Sequence, residues 1–186
     1  MKSVLLFGRS PFINQINLPA LMHHTTAGIN HIAFEHGMDY GFFYDSEPPK
    51  PEGCKTKTIA PIWFSSASHP VNPVPASIPV LSKIHRDGGQ VVGFELFTCT
   101  LAVNWLILQG FKQIYLIGID HVEQPGPLQH HDGTFAVADC MVEAHQRVKA
   151  FIGRCQSGAK IYQCNPAVAA DWPVPYQDLT ELYATF

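Results

Sequence analysis

Charge is scarce in this chain. Only 15% of its 186 residues are Asp, Glu, Lys or Arg, and the formal net charge is −3. No Lys/Arg cluster offsets that balance, which argues against a nucleic-acid-binding surface. Long apolar runs are lacking too. MKSVLLFG carries one Lys and five apolar residues before Gly8, too few for a signal peptide or a span. LFTCTLAVNWLILQGF is the most apolar window, but Thr98, Thr100, Asn104 and Gln109 break it. No membrane span is therefore expected. Cysteine is limited to positions 54, 99, 140, 155 and 164, an odd number with no CxxC pair. Reduced thiols in a cytoplasmic protein are the expectation, rather than a disulfide framework. GxGxxG, Walker A and HExxH motifs are missing as well.

What is present is apolar, at 46% of residues, in a length suited to one domain with a substantial core. SVLLF (3–7) reads as a short buried strand stopped by Gly8, and PFINQINLPALM as a short helix or turn interrupted at Pro19. TTAGINHI (25–32) and DYGFFYD (39–45) are further strand candidates. The composition changes from Ser46 to Pro79, which holds eight of the fifteen prolines. That stretch, 46–79, reads as a largely irregular insertion around one strand near TIAPIWF (58–64). It is suited to covering a neighbouring subunit in a homo-oligomer, or an acceptor groove.

Beyond it, QVVGF (90–94) reads as a strand, and TCTLAVNWLILQG (98–110) as a helix capped by Thr98 and stopped at Gly110. QIYLIGI continues as a strand. TFAVADCMVEAHQRVKAFIGRCQSG (134–158) reads as a helix, with Val137, Met141, Ala144, Val148 and Phe151 three or four residues apart. KIYQC forms a last strand and QDLTELY (177–183) a closing helix. Short continuous apolar strands separated by helices predict an α/β fold. It is a single Rossmann-like domain, with a predominantly parallel sheet and helices on both faces.

In such a sheet the carboxyl ends of the strands share one rim, where ligands bind. The strands end at Gly8-Arg9-Ser10, Asn30, Asp45, Asp120-His121 and Asn165. FGRSP fits either a phosphate-holding turn, with Arg9 adding charge, or an ordinary strand-to-helix turn. Asn30 and Asp45 fit a base or ribose edge, Asp45 also a metal ion; both equally fit local turns. TCT fits an anion at a helix amino end or plain capping. Asp120 is a base, a ligand or a brace for the strand end. In QHHDGTF, His130, His131 and Asp132 fit a proton acceptor with an orienting carboxylate. Metal ligation is the weaker option, because adjacent histidines rarely face one ion. An exposed loop is the remaining reading. His23 and His24 are expected at the surface.

VLLFGRSPFIN, GINH, DYGFFYDS, FTCTLAVNWLILQGFKQIYLIGIDH and KIYQCNPA occur in that order over most of the chain. Together they resemble the bacterial sialyltransferases that decorate lipooligosaccharide. They are also similar to the related archaeal 6-hydroxymethylpterin diphosphokinases and flagellin-glycosylating motility accessory factors. The resemblance implies a modified Rossmann sheet that binds a CMP-activated sugar and transfers it to an acceptor hydroxyl. It assigns Gly8, Arg9 and Ser10 to the nucleotide turn and Asn30 to the nucleotide. Asp45 and Thr98 or Thr100 fall near the donor sugar, and His131, or else His130, is the general base. The chain departs from the pattern at Arg9 and Ser10, where the family has an Asn and a second Gly, and at Asp45, where it has Asn. No tyrosine stands in 121–129, the place of the family's phosphate-binding lid. Two rivals follow. One is pyrophosphoryl transfer with Mg²⁺ on Asp45 or Asp120; the other is a non-catalytic nucleotide- or glycan-binding relative.

Overall fold

The computed structural model describes residues 1–43, 50–59, 83–87, 90–94, 97–121, 128–136 and 141–183. β1 (Ser3–Phe7) leads through two 3-10 turns, Pro11–Gln15 and Leu18–Leu21, to β2 (Thr26–Ile29), α1 (Ile32–Glu35), β3 (Tyr40–Phe42) and β4 (Lys57–Ile59). β5 (Lys83–Asp87) and β6 (Gln90–Phe94) precede α2 (Thr98–Leu108) and β7 (Gln113–Ile117). β8 (Leu128–Gln129), β9 (Phe135–Ala136), α3 (Met141–Cys155), β10 (Lys160–Gln163), a 3-10 turn at Ala169–Asp171 and α4 (Thr180–Tyr183) follow.

Six strands form one sheet in the order β10-β7-β1-β2-β3-β4, with every neighbouring pair parallel. β1 has a neighbour on either side, so Leu5 lies opposite both Thr26 and Tyr115. The alternation of side chains across a strand explains why β1 is apolar from Val4 and β7 from Ile114. Val4, Leu6, Ile114 and Leu116 enter the core cluster that holds α2 and α3. Leu5, Phe7, Tyr115 and Ile117 enter the opposite cluster, with Ile13, Leu18, Leu21, Ile32 and Leu182. Helical elements therefore cover both faces, as the apolar strand runs predict. α2 is buried from Thr98 to Leu106, which accounts for a helix with no polar side. Its end is set by Gly110, at φ +82°, where the amides of Gly110 and Phe111 return to the carbonyls of Ile107 and Leu106.

Several boundaries differ from expectation. The strand predicted over 25–32 stops at Ile29, because Asn30 turns to φ +60° and opens α1. QVVGF is a strand, but it pairs antiparallel with β5 outside the six-stranded sheet. The helix predicted from residue 134 begins, among the described residues, at Met141. The backbone at Phe135–Ala136 is instead committed to pairing with Leu128–Gln129. Asp45 and most of 58–64 lie outside the described residues. His24 is half-buried rather than at the surface, its Nε2 3.0 Å from the Leu182 carbonyl oxygen.

Candidate functional site

The order of strands reverses at β1: β2, β3 and β4 are added on one side of it and β7 and β10 on the other. At such a switch point the loops part and leave a crevice beyond the carboxyl ends. A cavity of about 330 Å³ lies there, at the low end of small-molecule sites. It is lined by Gly8–Pro11 after β1, Ile29 and Asn30 at the end of β2, Gly118–His121 after β7, Phe97–Cys99 at the start of α2, Gln129 and His130, and His145 of α3. Gly8, Arg9, Ser10, Asn30, Thr98, Asp120 and His130 thus meet at one mouth, although the sequence separates them by up to 122 residues.

The turn after β1 is held against β7 by its own backbone. Gly8 donates its amide to Ile117 O (2.8 Å), and Ser10 donates to Gly118 O (3.0 Å). Those two N–H groups are therefore spent on the fold and are not free to hold a phosphate, contrary to the simplest view of FGRSP. The Ser10 hydroxyl donates to Asp120 Oδ2 and accepts the Phe12 amide. Burial raises the Asp120 pKa, with Ser10 and then Asn165 opposing the rise. Its Oδ1 is buried without a well-formed hydrogen bond. Asp120 thus braces the strand end with Oδ2, while Oδ1 is buried within the protein. The Trp172 indole N–H fixes the same residue by donating to its carbonyl oxygen (2.9 Å).

Thr98 is the first residue of α2 and not its cap. Phe97 holds the extended cap conformation, with no side-chain bond to the helix. The amino end of an 11-residue helix, at Thr98 and Cys99, therefore forms part of the cavity lining. Thr100 turns away: fully buried, its hydroxyl donates to Phe97 O (2.7 Å). Asn165 also lies off the cavity, its Oδ1 accepting the Ala167 amide (3.0 Å).

The two adjacent histidines part ways. His130 faces the cavity, and burial followed by the Arg9 charge lowers its pKa, so it is neutral at pH 7. His131 does not line the cavity; its Nε2 lies 2.9 Å from Glu35 Oε2 and its amide donates to Arg9 O (2.7 Å). Asp132 pairs with Arg9 (Nη2–Oδ2 2.5 Å) rather than orienting a histidine. Hydrogen bonds from Thr134, side chain then backbone, together with Arg9 hold the Asp132 carboxyl well below the usual carboxylate range.

Three titratable lining residues, His121, Cys99 and His145, have no role in the sequence reading. His121, at φ +44°, turns its ring inward, with Nε2 3.0 Å from Cys99 Sγ. Its ring packs edge-on against Phe97 (5.0 Å) and His145 (4.9 Å). Burial, with His145 and Lys149 nearby, lowers its pKa to about 3, while burial pushes the Cys99 thiol up to about 12. Both are neutral near pH 7, so the inner wall is polar but uncharged at these two positions. Only the place of His121 at a strand end hinted at this; nothing in the spacing of Cys99 or His145 does. Among the described residues, no group of three or more His, Cys, Asp or Glu is arranged to hold a metal ion. Nor is any described helix long and apolar enough to cross a membrane. Compared with protein-family models, curated proteins and solved structures, the chain matches none.

Proposed function

We propose that this protein is a sialyltransferase-like glycosyltransferase that uses a nucleotide-activated donor of the CMP type. The observation that carries the reading is the cavity at the switch point. It combines a helix amino end, an Arg and the neutral imidazoles of His121 and His130, and the sequence motifs behind the resemblance supply most of its wall. Helix amides and the Thr98 hydroxyl suit the anionic part of a donor. His130 is the preferred base, because it faces the cavity while His131 faces Glu35. The acceptor hydroxyl forms a new C–O bond to the anomeric carbon as its proton passes to a ring nitrogen of His130. The old anomeric C–O bond breaks, and its electron pair leaves on the nucleoside monophosphate. A base so placed contributes about 10²–10⁴-fold in rate. Unpaired thiols at Cys54, Cys99, Cys155 and Cys164 fit a reducing, cytoplasmic setting.

A thermal-shift panel of CMP, CDP, GDP, UDP and ATP tests the ligand class. A ligand at a hundred times its Kd adds about 2.7 kcal/mol to folded stability, so CMP should raise the melting midpoint. His130→Ala should then remove most transfer while CMP still binds, and His131→Ala should cost less. Failure of every nucleotide to bind refutes the reading. The phosphoryl-transfer rival rests on Asp120, a carboxylate residue of the cavity lining. Activity that vanishes with EDTA and returns with Mg²⁺ would favour it.

A further inference from the structure

The hairpin β8–β9 belongs to neither of the other sheets, yet it forms part of the cavity wall. Its turn is internally braced. The His130 amide donates to Thr134 O (2.7 Å), the Gly133 amide to His130 O (3.0 Å), and Asp132 Oδ1 accepts both the Thr134 amide (3.0 Å) and hydroxyl (2.6 Å). Four further bonds tie that turn to the other side of the mouth. Arg9 Nη2 donates to Asp132 Oδ2 (2.5 Å) and Thr134 Oγ1 (3.3 Å), and the His131 amide donates to Arg9 O (2.7 Å). Asn14 Nδ2 donates to His131 O (2.8 Å). The His131–Glu35 contact is a fifth tie. Arg9 is the centre of this network and also lines the cavity, where its Nε is buried without a hydrogen bond.

A guanidinium offers five donors in a planar fork suited to two oxygens of a carboxylate or phosphate. Here one fork nitrogen holds a carboxylate supplied by the protein itself, and Nε is idle. We propose that Asp132 is an internal substitute for the anionic group of the ligand at Arg9. In this arrangement the β8–β9 hairpin is a strap that an entering phosphate or carboxylate displaces. The exchange conserves charge pairing: one anion leaves the guanidinium as another arrives, and Asp132 returns to water. With the strap bound, the receptive state is a minor one, so the apparent Kd exceeds the intrinsic Kd by the inverse of that minor fraction. The inference rests on the reading of the cavity as a site for a phosphate-bearing donor, and it adds a built-in competitor to that site.

The test compares wild type with Asp132→Asn, using CMP, inorganic phosphate and cytidine as probes. Asp132→Ser serves as a second variant if the amide folds poorly. Removing the competing charge should tighten CMP and phosphate by about three- to tenfold and leave cytidine unchanged. In wild type, saturating CMP should speed hydrogen exchange at the His131 amide, which the strap buries against Arg9 O. CMP affinity that is unchanged or weaker in the variant, or slower exchange at His131 with CMP bound, overturns the strap alone. Failure of both proteins to bind CMP and phosphate overturns the strap together with the transferase reading.

Discussion

Gly8 has no room for a side chain. A Cβ there would lie 2.2 Å from Gly118 O and 2.7 Å from Ile119 Cγ1, so the ends of β1 and β7 touch backbone to backbone. That approach is what lets Gly8 and Ser10 donate to β7 and narrows the floor of the cavity. Gly8→Ala should therefore cost about 1–3 kcal/mol, because a backbone oxygen cannot swing aside as a side chain could. Urea unfolding checks this, and a loss under a few tenths would mean that the strand ends separate freely. Gly8 was legible in the sequence as a turn, but its reason was not: the atom it makes room for lies 110 residues away. Asn30 was legible as a polar group at a strand end, and His130 as a candidate base in the stretch before the long helix. Which of His130 and His131 faces the cavity was not, since neighbours differ only in how the hairpin presents them.

At the level of elements, α2 shows why apolar periodicity is silent here. A helix buried on every side has no polar stripe, and its limits must come from punctuation. Gly110 supplied the stop correctly, whereas Thr98 as the cap did not hold, because Phe97 adopts the cap conformation. Gly110→Ala places a Cβ at φ +82°, where space is open but the backbone is strained. It should destabilise by about 1–2 kcal/mol without disturbing ligand affinity, measured by thermal unfolding and CMP titration. The start of α3 departs from its local spacing for a related reason. Val137 continues the helical spacing of Met141 and Ala144, yet the pairing of β8 with β9 claims the residues just before it. Long-range pairing overrides a local period.

For the whole molecule, the acid limb of stability follows from the buried imidazoles. His121 keeps a neutral ring in the fold down to about pH 3, against an ordinary value of 6.5 in the unfolded chain. Below 6.5 the unfolded chain therefore binds more protons, and unfolding free energy falls with pH at about 1.4 kcal/mol per unit for one such group. His130, shifted in the same direction, adds to the slope, and the raised Asp120 opposes it. Asp132 and Asp178, held below the usual range, act only beneath about pH 4. Stability should thus decline between about pH 6.5 and pH 4, and His121→Phe should flatten that decline. An unchanged slope in urea titrations would remove His121 as its source.

The parallel, doubly covered sheet could be read from the chain alone, because strands buried on both faces must be apolar at consecutive positions, and β1 and β7 are. The identity of the polar residues at the strand ends could be read for the same reason: an apolar run that stops marks the rim. What remained for the tertiary structure was direction. Chain packing turns His130 inward and His131 toward Glu35, spends the Gly8 and Ser10 amides on β7, and delivers Cys99, His121 and His145 to one wall. These outcomes depend on contacts between residues far apart in the chain, and no local pattern encodes where a side chain points once the backbone has folded.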